Sequence, residues 1–155
     1  MKAGGPDAEA PASACVSGAP TAEALGARPC LHVLVGLLVN RRGEVLVNRR
    51  RPGTHMAGYW EFPGGKSRPG EERLAALRRE LREELGIEVV DARPVLELAH
   101  DYPERSVTLD VWRVERFGGE PYAREGQELR WVPVPELATI GLLPADRPIV
   151  DFLLG

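Results

Sequence analysis

The chain has 155 residues, a net charge of −3 and 28% charged residues, values typical of a single globular domain. No excess of basic residues points to duplex DNA or an anionic membrane as a partner, and the run RRR at residues 49–51 is the one local exception. No apolar stretch reaches the roughly 18 residues needed to span a bilayer. We therefore expect a soluble, cytoplasmic protein, a monomer or weak homodimer, without stable binding to nucleic acid or membrane.

The first 28 residues differ in composition from the rest of the chain. They are mostly Ala, Gly, Pro and Ser without periodicity, and they lack the apolar core of a secretory signal. We expect a disordered leader at residues 1–28 and one folded domain at residues 29–155. The two cysteines, Cys15 and Cys30, form neither a metal-binding spacing nor a disulfide framework, so we expect reduced thiols.

The next part of the chain is rich in β-forming residues. The sequences LHVLVGLLVN and EVLVNRR predict two strands, joined as a hairpin by the turn RRG at residues 41–43. The sequence YWEF predicts a third, short strand, which ends at the following PGG.

From Glu71 to Leu85 the apolar residues change to a helical period. Acidic residues in the first turn suit the helix dipole, and Gly86 is placed to cap the C-terminus. Four leucines recur at intervals of three and four residues and predict the buried stripe of the helix: Leu74, Leu77, Leu81 and Leu85.

The last part of the chain returns to strands. The sequences IEVVDARPVLELAH and SVTLDVWRVERF predict two strands around the turn DYPER, and LRWVPV predicts another. PELAT and ADRPIVDFLL predict a short helix and a C-terminal helix. Strands and helices do not alternate regularly, which favours a mixed α/β fold with a helix packed between sheets over a doubly wound fold.

The predicted helix carries a cluster of acidic residues. Glu80 and Glu84 are four residues apart and share one flank, with Glu83 beside them. Like charges this close repel and require a counter-ion, supplied either by neighbouring arginines or by a hard cation such as Mg²⁺. Gly64 and Gly65, just before the helix, allow the backbone to approach a metal or phosphate closely. The combination favours a metal–phosphate site over a solvated helix face.

The same stretch resembles the Nudix box, a motif of the Nudix hydrolase superfamily. Its pattern is Gly, five residues, Glu, seven residues, Arg-Glu, an apolar residue, one residue, Glu-Glu, one residue, Gly and an apolar residue. The matching positions are Gly65, Glu71, Arg79, Glu80, Leu81, Glu83, Glu84, Gly86 and Ile87.

The resemblance extends to the MutT-like subfamily, the 8-oxo-dGTP diphosphatase type, which removes oxidised dGTP from nucleotide pools. The sequences GLLVNRRGEVLVNRRRPGTHMAGYWEFPGGK, GGEPYAREGQELRW and LLPADRP resemble parts of these enzymes. The resemblance implies a Nudix α/β/α sandwich with a mixed β-sheet and the Nudix loop-helix. It also implies Mg²⁺ dependence, with Mn²⁺ as a substitute, and hydrolysis of a nucleoside triphosphate to the monophosphate and pyrophosphate.

By the same resemblance, metal binding is assigned to Glu80, Glu84 and the Gly64 carbonyl, with Glu83 as a further ligand, direct or through water. Glu125 matches a family glutamate in a loop and is a candidate for metal binding and catalysis, although it is also consistent with an ordinary loop residue. The catalytic candidates are Glu80, Glu83 and Glu125. The sequence alone does not separate a ligand from a base within such a cluster.

The resemblance assigns other positions to positioning or substrate contact. Arg79 and Glu71 match residues that orient the glutamates and tie the helix to the loop. Phe62 has an alternative role in core packing, and His55 has one in a hydrogen bond that anchors the loop. Lys66 either contacts phosphate or is an ordinary exposed lysine. The substrate-binding candidates are Arg50, His55, Glu61, Phe62, Arg105 and Asp146.

Asp146, in PADRP, departs from the familiar MutT pattern, which has asparagine there. An asparagine amide donates to guanine O6 and accepts from the N7–H of 8-oxoguanine, whereas an ionised aspartate has no donor and suits the cytosine amino group. Burial that keeps Asp146 protonated would restore the donor. We expect 8-oxo-dGTP as substrate. The alternatives are a pyrophosphohydrolase for CTP or modified cytosine nucleotides, a non-catalytic Nudix-fold recognition module, and a Nudix enzyme acting on nucleotide sugars or dinucleoside polyphosphates.

Overall fold

A computed structural model describes residues 29–155, so the leader expected at residues 1–28 lies outside the described residues. The strands are β1 (Cys30–Leu38), β2 (Glu44–Arg49), β3 (Trp60–Glu61), β4 (Gly64–Lys66), β5 (Glu88–Asp101), β6 (Ser106–Gly118) and β7 (Leu129–Pro133). The helices are α1 (Arg73–Leu85) and α2 (Arg147–Leu154), with 3₁₀ helices at Val134–Thr139 and Pro144–Asp146. Within residues 29–155, no helix has the length and apolar character to cross a membrane.

The strands form two sheets. The larger has the order β4-β1-β6-β5, with β1 and β6 parallel, and the smaller has the order β3-β2-β7. The predicted turn at residues 41–43 is present, with an antiparallel bridge between Val39 and Val45 and an Asn40 N–H that donates to Glu44 O at 2.9 Å. The predicted hairpin does not continue beyond this bridge, because β1 and β2 lie in different sheets and β1 pairs with β4 and β6 instead.

Side chains alternate between the two faces of β1 and form two hydrophobic clusters. Leu34 and Leu38 face α1 and pack with its fully buried Leu77, Leu81 and Leu85. The residues of β1 between them, such as Val35 and Leu37, face the other cluster, which includes Ile149 and Val150 of α2. The helices therefore cover opposite faces of the larger sheet, which confirms the expected α/β/α sandwich.

The N-terminus of α1 differs from the prediction. The helix begins at Arg73, Glu72 is the N-cap, and the first turn contains no acidic residue. Glu71 instead closes the preceding loop, where its Oε1 accepts a hydrogen bond from the Arg68 N–H at 2.9 Å. The predicted C-terminus is confirmed, because Gly86 has a left-handed φ of 71° and its N–H donates to Arg82 O.

Two details at the ends of the described chain also correct expectations. Asp146 lies in the 3₁₀ turn Pro144–Asp146 rather than in the C-terminal helix, and its N–H donates to Leu143 O at 2.9 Å. This turn directs the aspartate into the interior.

Cys30 is disulfide-bonded, so the expectation of a free thiol there is wrong, and Cys15 lies outside the described residues.

Candidate active site

A cavity of about 370 Å³ lies beside β1, β4 and the Pro144–Asp146 turn. Its apolar wall comes from β1 and β6 and includes Leu31, Val33, Val107 and Leu109. Gly64 and Glu80, two of the metal candidates, lie on its border. It brings together all six substrate-binding candidates: Arg50, His55, Glu61, Phe62, Arg105 and Asp146.

A second cavity, of about 200 Å³, adjoins the first and contains Glu84 and Glu125. Arg50, Glu61 and Gly64 line both cavities. At this boundary the Arg50 Nη1 and Glu61 Oε1 atoms are 3.0 Å apart. The two cavities therefore adjoin at a shared wall, and the first is lined partly by apolar residues while the second is lined mainly by charged and polar ones.

Glu83 is the predicted site residue that lines neither cavity. Its side chain is 47% exposed, with Oε1 3.3 Å from Arg79 Nη1 and Oε2 3.7 Å from Arg68 Nη2. In this arrangement Glu83 lies outside the group formed by Glu80, Glu84 and Glu125.

The two glycines of β4 allow the helix carboxylates to reach the backbone. Gly64 has a φ of 150°, and its N–H donates to Glu84 Oε1 at 2.9 Å, while a side chain at Gly64 would overlap the Leu34 carbonyl. A side chain at Gly65 would overlap the Glu80 carboxylate. Neither position accommodates a larger residue without displacing a main-chain group or a candidate metal ligand.

Arg79 connects the helix to the loop, as the resemblance implies. Its Nε and Nη2 donate to the Glu71 carboxylate at 2.8 and 2.9 Å, and Nη1 donates to Glu80 Oε2 at 2.9 Å. Nη2 also donates to Lys66 O at 3.0 Å. The hydrogen bonds that Arg79 donates lower the pKa of Glu71 to about 2, and their acceptance by Glu71 and Glu80 raises the pKa of Arg79. Arg79 therefore fixes the direction of the Glu80 carboxylate.

Ionisation of the other carboxylates of the site is unfavourable, because they are buried and lie near one another. Burial raises the pKa of Glu80 and of Glu61, and it raises that of Glu84 well above its usual value. The neighbouring charges of Glu61, Glu125 and Glu80 raise the pKa of Glu84 further. Within residues 29–155, no three Asp, Glu, His or Cys side chains converge as a ligand set, because Glu80 is held by Arg79 and Glu84 by the Gly64 amide.

Asp146 lies at the apolar end of the first cavity and is 4% exposed. Its Oδ2 accepts a hydrogen bond from the Phe62 N–H at 3.0 Å. Burial, followed by the nearby charge of Glu61, raises the pKa of Asp146 to about 8. The side chain is therefore mainly protonated at neutral pH and carries one hydrogen-bond donor.

Phe62 and His55 combine the alternatives considered for them. Phe62 is 4% exposed and belongs to the hydrophobic core, yet it also lines the cavity. His55 Nδ1 is 3.9 Å from the Glu104 carboxylate, and its buried Nε2 has no hydrogen-bond partner in the described part of the chain. Both side chains remain available to a ligand.

Sequence reasoning missed several residues of the site. Tyr102 lines the cavity, its hydroxyl accepts the Ala145 N–H at 3.2 Å, and its ring meets the His55 ring edge-on at 5.4 Å. The sequence offered one indication of this role, namely an aromatic residue within the turn DYPER. Gln127 accepts the Glu125 N–H at 3.1 Å and donates to Glu84 O at 3.2 Å, but a single glutamine in a loop gives no such signal.

The arrangement suits a ligand with two unlike ends. The apolar wall, Phe62 and the protonated Asp146 fit a flat ring with polar groups on its edge. Arg50 and the carboxylates next to it fit an anionic chain that arrives with a cation.

Comparisons with known proteins agree with this chemistry. The NUDIX domain family matches residues 34–152. The 8-oxo-dGTP diphosphatase of Escherichia coli (strain K12) is 38% identical over 120 residues, covering 77% of this chain and 93% of that protein. The CTP pyrophosphohydrolase of the same strain is 38% identical over 122 residues, covering 79% and 90%.

A solved MutT structure, from work on the proteins of Aliivibrio salmonicida and Vibrio cholerae, matches with a TM-score of 0.70 and 33% identity. The match covers 81% of this chain and 97% of that one. The family match spans well over half of the chain, and it includes every glutamate of the site. The chain therefore belongs to the Nudix hydrolases and is a MutT-like enzyme of that family.

Proposed function

We propose that the enzyme hydrolyses 8-oxo-dGTP to the monophosphate and pyrophosphate, and so removes an oxidised nucleotide from the precursor pool. The burial of Asp146, which raises its pKa to about 8, is the observation that carries this choice of base. A neutral carboxyl group donates through its O–H to guanine O6 and accepts the N7–H of the oxidised base through its other oxygen. The apolar wall and Phe62 support the ring.

The residues of the second cavity fit Mg²⁺. Asn48 is 3% exposed, and its Oδ1, a hydrogen-bond acceptor, has no partner in the described part of the chain. It lines the cavity with Gly64 and three carboxylates, those of Glu61, Glu84 and Glu125, and the same cavity is lined by Arg49, Arg50 and Arg51. An unsatisfied oxygen therefore lies near carboxylates, with basic side chains in the same cavity. Oxygen-rich, electron-donating surroundings of this kind suit a hard divalent cation.

We assign the cation to Glu80, Glu84 and the Gly64 carbonyl, with contributions from Glu83 and Glu125, and expect Mn²⁺ to substitute. When bound, the ion neutralises phosphate oxygens and lowers the pKa of a coordinated water. Glu80 or Glu125 accepts the proton of the attacking water.

Other residues hold the phosphates. Arg50 lies at the boundary between the two cavities, where its guanidinium meets a triphosphate that crosses from one to the other. Lys66, at the entrance of the first cavity, provides a second positive charge. Arg79 takes no direct part, since its donors are used by Glu71, Glu80 and the loop.

The main alternative is a cytosine nucleotide. It is supported by the aspartate at position 146, if ionised, and by the likeness to a CTP pyrophosphohydrolase. A non-catalytic module is disfavoured, because the chain keeps the glutamates of the motif, with Glu84 bonded to the Gly64 N–H and Glu80 close to Gly65.

A substrate panel tests the choice. We expect kcat/KM for 8-oxo-dGTP to exceed those for dGTP, CTP and 5-methyl-dCTP, with Mg²⁺ present and pyrophosphate rather than orthophosphate released. About a tenfold preference corresponds to one additional hydrogen bond in the transition state. A tenfold preference for CTP would reverse the assignment, and inactivity towards all four together with DNA binding would favour the module.

Gly65→Ala tests the close approach of Glu80 to β4. The new methyl group would overlap the Glu80 carboxylate, which is the end of a flexible side chain, so the protein should fold while Glu80 is displaced. We expect kcat/KM to fall about 100-fold, as for a misplacement of about 1 Å at a reacting centre, with little change in melting temperature.

Gly118→Ala is the matched control, because a Cβ at Gly118 meets open space and its φ is not positive. Full activity of Gly65→Ala would show that Glu80 does not need its present position.

A further inference from the structure

A hydrogen-bonded cluster of five residues lies outside both cavities and has no part in the site described above. This group, here the Asp110 network, consists of His32, Ser67, Arg73, Asp110 and Trp112. Asp110 is 1% exposed and lies in β6, next to β1 in the sheet. The network therefore places a buried charge at the centre of the larger sheet.

Asp110 accepts four hydrogen bonds. Arg73 donates from Nε at 2.7 Å and from Nη2 at 2.8 Å, and Trp112 Nε1 donates at 2.9 Å. His32 Nε2 lies 3.0 Å from Asp110 Oδ2, and the Ser67 hydroxyl lies 3.2 Å from His32 Nδ1. Burial would raise the pKa of Asp110, but the hydrogen bonds from Arg73 and His32 outweigh burial and lower it. Asp110 is therefore an ionised, fully satisfied acceptor.

The order serine, histidine, aspartate is that of a nucleophilic triad, but the contacts argue against such a role. In a triad the aspartate stabilises the positive charge that develops on histidine. Here Arg73 already pairs with both oxygens of Asp110 and compensates its charge. The cluster is arranged to hold structural elements together.

The elements it holds are those that carry the metal candidates. Ser67 directly follows β4, which contains Gly64, and Arg73 is the first residue of α1, which contains Glu80 and Glu84. Residues 67–72 form the loop between them. Asp110 is bound to one end of this loop through His32 and to the other through Arg73.

Arg79 holds the same loop at a different place. It contacts Glu71, two residues before the start of α1, and the carbonyl of Lys66, the last residue of β4. Arg79 belongs to α1 itself, and its bond to Lys66 O joins α1 directly to β4. Asp110 lies instead in β6 of the larger sheet, so its bonds to His32 and Arg73 fix both ends of the loop relative to that sheet.

We propose that Asp110 is a positioning residue, which sets the separation of β4 and α1 and thereby the affinity of the site for its divalent cation. The inference rests on the metal site of the proposed function. Replacing a residue that orients a metal ligand without touching the metal typically lowers the metal affinity by about 10- to 100-fold.

The experiment measures Mn²⁺ binding to the full-length protein by titration calorimetry, together with the Mg²⁺ concentration for half-maximal activity. We expect Asp110→Asn and Arg73→Gln to weaken Mn²⁺ binding about tenfold and to raise the Mg²⁺ requirement equally. At saturating Mg²⁺, kcat should change less than about threefold, since no group that touches substrate is altered. Arg73→Lys, which keeps the charge and one donor, should restore part of the affinity.

Trp112→Phe is the control. It removes one hydrogen bond to the same carboxylate and should lower the melting temperature, but it keeps an aromatic ring beneath Arg73, whose Cζ lies 5.0 Å from the centroid of the Trp112 ring, and it leaves both hydrogen bonds from Arg73 to Asp110 in place. Its Mn²⁺ affinity should match that of the wild type. If Asp110→Asn does not fold, Arg73→Gln decides, because the Arg73 side chain is 53% exposed and its replacement leaves the core packed.

Two results would overturn the inference, and only one of them would also overturn the proposed metal site. Unchanged Mn²⁺ binding in Arg73→Gln and Asp110→Asn would show that the network serves stability alone, and the proposed function would stand. Absence of Mn²⁺ binding in the wild type would remove the proposed metal site and the inference with it.

Discussion

Replacing Glu84 by glutamine is expected to lower kcat/KM by roughly a thousandfold, about 4 kcal/mol of transition-state stabilisation, while the metal-free protein becomes more stable. Glutamine keeps the size of the side chain and an oxygen that accepts the Gly64 N–H. It removes the charge that the cation requires. Steady-state assays at saturating Mg²⁺ measure the first effect.

The gain in stability follows from the raised pKa of Glu84. Burial raises this pKa well above the usual 4.5, so ionisation of Glu84 favours the unfolded chain. Below pH 4.5 the wild-type carboxyl is protonated in both states and contributes no penalty. The penalty grows as the pH rises from 4.5 through the pKa of the folded state. The melting temperature of Glu84→Gln should therefore exceed that of the wild type increasingly as the pH rises through this window, in the absence of divalent ions.

Two comparisons make the result specific. Glu72→Gln removes an exposed carboxylate at the N-cap of α1 and should change neither activity nor stability appreciably. Glu83→Gln should impair activity less than Glu84→Gln, because Glu83 is half exposed and lines neither cavity. If Glu84→Gln kept more than about a tenth of wild-type activity, Glu84 would not be a principal metal ligand.

The glutamates and glycines to which we assign the cation could be predicted from the sequence, because most of them are close together in the chain. The spacing of Glu80 and Glu84 places both on one flank of any helix, and the two glycines precede that helix. The leucine stripe and Gly86 fixed the orientation and end of α1 in the same way. Local periodicity was sufficient for these features.

Other features depend on contacts between distant segments. The placement of β1 and β2 in different sheets follows from competition among strands for the edges of β1, which no local pattern expresses. Asn48 and Gln127 enter the second cavity through strand register and a loop contact, and Asp110 meets Arg73 across 37 residues. In each case one polar residue acquires its role only once the sheet has formed.

The raised pKa of Asp146 also depends on contacts between distant segments, and it predicts that substrate selectivity changes with pH. The selectivity of the wild type, expressed as kcat/KM for 8-oxo-dGTP divided by that for CTP, should fall about tenfold as the pH rises through about 8. Burial raises the pKa of Asp146 from 3.8 to about 8, so the O–H donor is present below that pH and lost above it. The ionised carboxylate then repels guanine O6 and accepts from the cytosine amino group.

Asp146→Asn separates this effect from titration of the substrates or of the catalytic carboxylates. Asparagine donates and accepts at every pH, and its oxygen still accepts the Phe62 N–H. Its selectivity for 8-oxo-dGTP should stay constant from pH 6 to about pH 9.5, and it should exceed that of the wild type most at the alkaline end. Because titration of the substrates or of the catalytic carboxylates acts on both proteins alike, the ratio of their selectivities isolates position 146. A ratio that did not vary with pH would mean that Asp146 does not select the base through its proton, and preference for oxidised guanine would then have to come from the shape of the apolar wall.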